Sequence, residues 1–182
     1  MDTVKLYGKF LAIHLKSAMA YRGSFLLSCL GAMLVTANVF LGVVFLMARF
    51  ETIQGYTLPQ LTLGFAVILM ATSLAECFAR GLDSFSQVLA QAQFDRILVR
   101  PRGLLFQLLC QDMKPTMLAR VLQAAVMIFF SVRSGAVEWT AAKALVLVLM
   151  ILCGAAVFFG LFLVNATLCF FTTEGLEVMN IF

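Results

Sequence analysis

Charge is what this sequence has least of. Only 12% of its 182 residues are Asp, Glu, Lys or Arg, 63% are hydrophobic, and the mean hydropathy is +1.02. A globular domain carries roughly 25% charged and about 45–50% apolar residues, so this chain has too little polar surface to face water all round. A soluble enzyme, a nucleic-acid-binding module and a disordered tail are excluded together. The chain belongs in a bilayer. Histidine occurs once, at His14, which rules out a two-histidine metal site, and neither H-E-x-x-H nor G-x-S-x-G is present. Gly8-Lys9 lacks both the preceding glycine and the following hydroxyl of a P-loop, so the chain cannot hold a nucleotide in a P-loop by itself. The five cysteines (Cys29, Cys77, Cys110, Cys153, Cys169) show no C-x-x-C or other ligand spacing. Most sit in apolar runs, where free cysteine acts as a small hydrophobe, and they imply neither a disulfide framework nor a metal site.

What is present is a set of long charge-free runs. A stretch of ~20 apolar residues crosses a ~30 Å hydrocarbon core. Between Arg22 and Arg49 lie 26 residues without a formal charge, between Glu51 and Glu76 there are 24, and Ala144 to Thr173 makes 30. A fourth run, Val121 to Val132, has only 12. It becomes a span when extended back to Thr116, because Arg120 near the helix end can reach the interface and Pro115 suits a first helical turn. The sequence therefore predicts an all-α polytopic membrane protein with a single transmembrane domain. Its parts are an N-terminal interfacial amphipathic helix at 2–22 and four transmembrane helices at 24–48, 57–76, 116–134 and 144–172.

Loop charges set the orientation, which makes the distribution of the net +4 more telling than its sum. Lys5, Lys9, Lys16 and Arg22 precede the first span. Arg80, Arg96, Arg100, Arg102 and Lys114 lie between the second and third. Only Arg49, Arg133 and Lys143 fall on the other side. The expectation is a multi-pass cell (inner) membrane protein with a cytoplasmic N-terminus and middle loop. A cleavable signal peptide does not fit, because the first apolar run is too long and lacks a small-residue cleavage site. In the 2–22 helix, Lys5, Lys9 and Lys16 fall within about 40° of one another, opposite Val4, Tyr7, Phe10, Leu11 and Leu15. Such a helix lies in the interface with its lysines near anionic headgroups. His14, on the apolar side, reads as structural or interfacial.

Intramembrane ionisable groups, the usual carriers of transport chemistry, are nearly missing. Glu76 is the best candidate, although Arg80 four residues on offers an ordinary in-helix partner. Asn38 and Asn165 are polar residues within spans and read first as interhelical hydrogen-bond groups. With Glu76 they make up the candidate transport path. So little buried charge argues against a proton-driven transporter and places any energy source elsewhere. Ser24, Ser28, Ala32 and Thr36, then Ala156 and Gly160, form small-residue stripes that let helices approach closely.

The stretch 80–103 reads RGLDSFSQVLAQAQFDRILVRPRG. Phe85, Val88, Leu89 and Ala92 share a helical face ending near Gln93, and Pro101 biases Arg100 away from helix. A solvated topology loop is the plain reading. Against it, Phe94, Ile97, Leu98 and Val99 are too apolar for a linker, and an apolar, charge-flanked cytoplasmic loop invites a protein partner.

Here the sequence resembles a known family. The run Phe94-Asp95-Arg96-Ile97-Leu98-Val99-Arg100-Pro101, then Phe106-Gln107 and Glu174-Gly175-Leu176-Glu177-Val178-Met179-Asn180, is similar to bacterial ABC-2 type permease subunits. More narrowly, it is similar to the branch described as ABC-2 family transporter proteins. The resemblance implies six transmembrane helices, an N-terminal interfacial helix matched by residues 2–22, and a coupling loop between the second and third helices, matched by 80–103. Within that loop Phe94, Asp95, Arg96, Ile97, Leu98, Arg100 and Pro101 would meet a separate ABC ATPase subunit. The partner would bind ATP and Mg2+, this chain would bind no cofactor, and a second permease, identical or not, would complete the unit in the bilayer. Four spans before Phe182, where the family has six, read as a truncated chain. The expected function is the permease of an ATP-driven exporter, without enzymatic activity of its own. The alternatives are a non-transporting membrane scaffold or assembly subunit and, less well supported, a membrane-embedded enzyme.

Overall fold

The computed structural model describes residues 3–49, 55–90, 97, 99, 103–111, 114–135 and 139–171. These residues are almost entirely helical: α1 (Thr3–Ala20), α2 (Arg22–Arg49), α3 (Leu58–Asp83), α4 (Phe85–Ala90), α5 (Leu104–Gln111), α6 (Met117–Arg133) and α7 (Ala141–Phe171). The fold is all-α, as read from the charge-free runs. Three helices, Arg22–Arg49, Leu58–Leu82 and Ala141–Cys169, are long and apolar enough to cross a membrane. α6 has 17 residues, about 26 Å at 1.5 Å per residue.

α3 is the central helix, with α6 and α7 packed along its length. Its start is set by Pro59 in the first turn and by the Thr57 N–H, which donates to Gln60 Oε1 at 3.0 Å. Small side chains make it central: Ala66, Ala71, Ser73, Ala75 and Ala79 are all buried, and small residues let neighbouring backbones come close where lipid supplies no hydrophobic drive. At the α7 contact, a Cβ built on Gly154 would stand 2.9 Å from the Ala71 Cβ. The helix continues through Arg80 to Asp83, past the 57–76 span, and its last carbonyls are closed by the Ser84 N–H donating to Arg80 O at 3.1 Å. A charge ends the hydrocarbon span; it need not end the helix.

Two contacts give α3 and α6 opposite directions. Ser131 Oγ donates to the Pro59 carbonyl at 2.7 Å near the start of α3. Arg120 Nη1 donates to Glu76 Oε2 at 3.0 Å near its end. α7 runs parallel to α3, because Trp139 and Lys143 lie beside Gln60 at one end while Ala166 meets Leu82 at the other. α2 joins mainly through α6, where Thr36 Oγ1 donates to Gln123 Oε1 at 2.7 Å. Much of α2 and α7 faces outward with exposed leucine and valine, including Leu27, Leu34, Leu152 and Val164. Ser24 and Ser28 are exposed too, so that half of the first small-residue stripe is open.

Candidate functional site

A buried apolar cluster closes the end of the bundle where α3 stops and α4, α5 and α7 meet it. Phe85 and Leu82, each 1% exposed, anchor a cluster with Ala79, Val88, Leu108, Ala166, Cys169 and Ile97. α5 sits directly on the end of α3: a Cβ at Gly81 would overlap the backbone carbonyl of Leu108. Only glycine permits this approach, since the obstacle is main chain and cannot swing aside.

Of the residues read as the coupling run, Phe94, Asp95, Arg96, Leu98, Arg100 and Pro101 lie outside the described residues, and Ile97 lies within them. Ile97 is 7% exposed and belongs to the buried cluster, whereas Val99, two residues on, is 84% exposed. These two described side chains therefore divide, Ile97 fastened to the bundle and Val99 facing away from it.

α1 is pinned to the same end. The Tyr7 hydroxyl donates to the Phe78 carbonyl at 3.4 Å, and the Tyr7 ring meets Phe78 and Phe106 at centroid separations of 6.3 and 6.4 Å. Burial, then the neighbouring thiols of Cys110 and Cys77, pushes the Tyr7 phenol up to about 12, so it stays a neutral donor. Burial also raises the Cys110 thiol, which leaves it an inert hydrophobe instead of a nucleophile. His14 Nε2 donates to the Cys110 carbonyl at 3.2 Å, which sets the tautomer with its proton on Nε2. Lys9 and Lys16 are exposed; the Lys5 side chain is outside the described set. Phe10 and Ile13 are exposed next to the lysines, while Tyr7, Leu11 and Leu15 turn toward the protein.

Glu76, Asn38 and Asn165 do not converge. Glu76 forms its ion pair with Arg120 on α6, each side chain about one-fifth exposed (22% and 21%). Arg120, expected at the interface, turns to a neighbouring helix instead, and its buried Nε has no hydrogen-bond partner among the described residues. Asn38 on α2 is exposed and Asn165 on α7 is half-buried; no hydrogen bond among the described residues joins the three. Two side-chain pairs, Glu76–Arg120 and Thr36–Gln123, hold α6 within one turn, to α3 and to α2. Among the described residues no group of His, Cys, Asp and Glu is placed to hold a metal ion.

Residues 33–182 match the family described as ABC-2 family transporter protein. The chain belongs to the ABC-2 transporter family. This membership makes it a membrane component of a transport system and accounts for the long apolar helices. α1 and the part of α2 before residue 33 precede the matched region. No curated protein and no solved structure matches the chain.

Proposed function

We propose that this ABC-2 family member is the permease subunit of an ATP-driven exporter, moved by a separate ATPase that docks on residues 80–103. The observation that carries this reading is the split between Ile97 and Val99. A docking element has to be rigidly attached to the helices it moves and has to offer an apolar anchor to its partner. Ile97 meets the first need through the Phe85–Leu82–Leu108 cluster, and Val99 meets the second. The flanking Asp95, Arg96 and Arg100 supply charges that select register and partner.

The route onward from the loop is short. Movement of the 80–103 segment reaches α3 through Phe85 and Leu82, α5 through the Gly81–Leu108 backbone contact, and α7 through Ala166 and Cys169. It reaches α6 through Glu76–Arg120. Helices α2, α3, α6 and α7 form four crossings in this reading. If α3 and α7 span the bilayer side by side in the same direction, the chain between them crosses back once. The antiparallel α6, about 26 Å long, is the element that does so. The N-terminus and the 80–103 loop then share the cytoplasmic side, as the lysine and arginine bias requires.

The test is a mild-detergent pull-down of the tagged, complete protein. A P-loop ATPase at about one copy per permease, reduced by Asp95→Arg or Phe94→Ala with membrane insertion intact, supports the reading. A clean preparation with no ATPase refutes it and leaves a non-transporting scaffold in its place.

A further inference from the structure

Helix α1 lies along the border between hydrocarbon and water. At one end only Tyr21 separates it from α2, whose charge-free run starts directly after Arg22. At the other end Tyr7 meets Phe78, two residues past the Glu76 that closes the second charge-free run. Both ends of α1 therefore stand at one level, about 20 Å apart at 1.5 Å per residue. Its apolar side is spent on protein, with Tyr7, Leu11, His14 and Leu15 half-buried, while Lys9, Ile13 and Lys16 are exposed on the outer side. From this placement we infer that the outer face of α1 binds anionic glycerophospholipid headgroups of the adjoining leaflet, and that this binding clamps α5 onto α3.

Charge and polarity select that occupant together. Lys9 and Lys16 make no ion pair or hydrogen bond among the described residues, and no Asp or Glu occurs between Asp2 and Glu51 to compete for them. Around the helix, Ile13 stands about 40° from Lys9 and Phe10 about 100°, both on the same side of the lysine pair. Ile13 is 60% exposed and Phe10 37%. A headgroup border offers negative charge to the lysines and hydrocarbon to this apolar flank at the same depth. An acidic protein surface would satisfy the lysines alone, and it would have to occupy the level where headgroups already lie. The clamp follows from what α1 touches. His14 Nε2 holds the Cys110 carbonyl in the last turn of α5 at 3.2 Å, and the Tyr7 ring touches Phe106 of α5 and Phe78 of α3. With 8 residues, α5 is too short to persist as an isolated helix and depends on what seats it. A ligand that binds only the seated arrangement stabilises it by mass action.

The inference rests on α2 and α3 spanning the bilayer and does not require ATP coupling, so its test uses no ATPase. The full-length protein is reconstituted in phosphatidylcholine vesicles containing increasing fractions of phosphatidylglycerol, and backbone amide hydrogen exchange is followed in α1, α5 and the middle of α7. Each lysine near an anionic surface contributes about a fivefold preference, so exchange in α1 should slow by up to about 25-fold. Exchange in α5 should slow with it, and α7 should not change. Lys9→Gln with Lys16→Gln should remove both effects, whereas Lys9→Arg with Lys16→Arg should keep them. His14→Leu should uncouple α5 while α1 still responds. The inference is overturned if phosphatidylglycerol slows neither helix, or if the slowing survives the double Gln variant. Slowing of α1 without α5 in the wild type would overturn the clamp. Equal slowing by soluble glycerol phosphate in pure phosphatidylcholine would overturn the lipid surface as its source.

Discussion

The ion pair between Glu76 and Arg120 is the most demanding feature of this bundle energetically. Two unit charges about 4 Å apart attract by about 4 kcal/mol at an effective dielectric of 20. Removing water from them takes back much of that. Here the side chains are about one-fifth exposed and 3.0 Å apart, so a net coupling of about 2 kcal/mol is expected, roughly a 30-fold change in the folding equilibrium. The two single losses are not equivalent. Glu76→Leu strands a guanidinium whose Nε already has no partner among the described residues and which cannot shed its charge; its cost should be about 3 kcal/mol. Arg120→Leu strands a carboxylate instead, and about 2 kcal/mol is expected. The double variant replaces the pair with apolar volume and should cost less than either single change. Unfolding in mixed micelles by added denaturing detergent, carried out on all four proteins, measures the cycle. If the two single costs simply add, or if Arg120→Leu proves the more damaging, the pair is not the interhelical bond described here and Arg120 faces the interface.

The loop and the close contacts make further expectations. Ile97→Ala should cost about 2–4 kcal/mol because it empties a buried position, while Val99→Ala should leave stability within about 0.5 kcal/mol. In ATPase co-purification, Val99→Ala should still weaken capture, and thermal melts read beside the pull-down separate the two effects. Gly81→Ala drives a methyl into the Leu108 backbone and should lower the folded yield sharply; Gly64→Ala, in open space, is its control, and size-exclusion monodispersity reads both. Thr36→Val removes the hydroxyl that reaches Gln123 at 2.7 Å and should cost about 0.6–1 kcal/mol in the same detergent titration. Raising the Tyr7 phenol to about 12 means that stability linked to its neutral form is fully present below its usual value near 10 and is lost as pH rises toward 12. The difference in alkaline absorbance between wild type and Tyr7→Phe should therefore have its midpoint near 12.

Most of the architecture was legible because a bilayer imposes a simple arithmetic on a chain. Runs without charge at least as long as the hydrocarbon is thick become helices, and three of the four found here satisfy both length and apolarity. The ends were less legible for a physical reason. Arg80 sets a limit on hydrocarbon, yet it is a good enough helix residue for α3 to pass through it and end at Asp83. Partners across helices were the least legible. Spacing along the chain offered Glu76 its neighbour Arg80, whereas the cross-helix bond goes to Arg120, 44 residues away, and no local pattern encodes that. Gly81 gave no sign of its role either, since a glycine in R-G-L-D is indistinguishable from a flexible one until α5 is laid against it. In α1 the lysine stripe was readable from helical angles. The division of its apolar face, with Leu11 and Leu15 turned toward the protein and Phe10 and Ile13 exposed, depends on where α5 and α2 stand. At the loop, composition marked 80–103 as too apolar for a linker, but the opposed directions of Ile97 and Val99 emerge only from the fold.

The central proposal is tested most directly at Val99, exposed yet two residues from an anchored side chain. A photo-crosslinking amino acid placed there in the complete protein, and activated in native membranes, marks whatever touches this surface. A covalent adduct with a P-loop ATPase, lost when Asp95→Arg is added, is the expected outcome. An adduct with lipid alone, with a second copy of the permease, or with no protein at all would contradict ATPase docking at this loop.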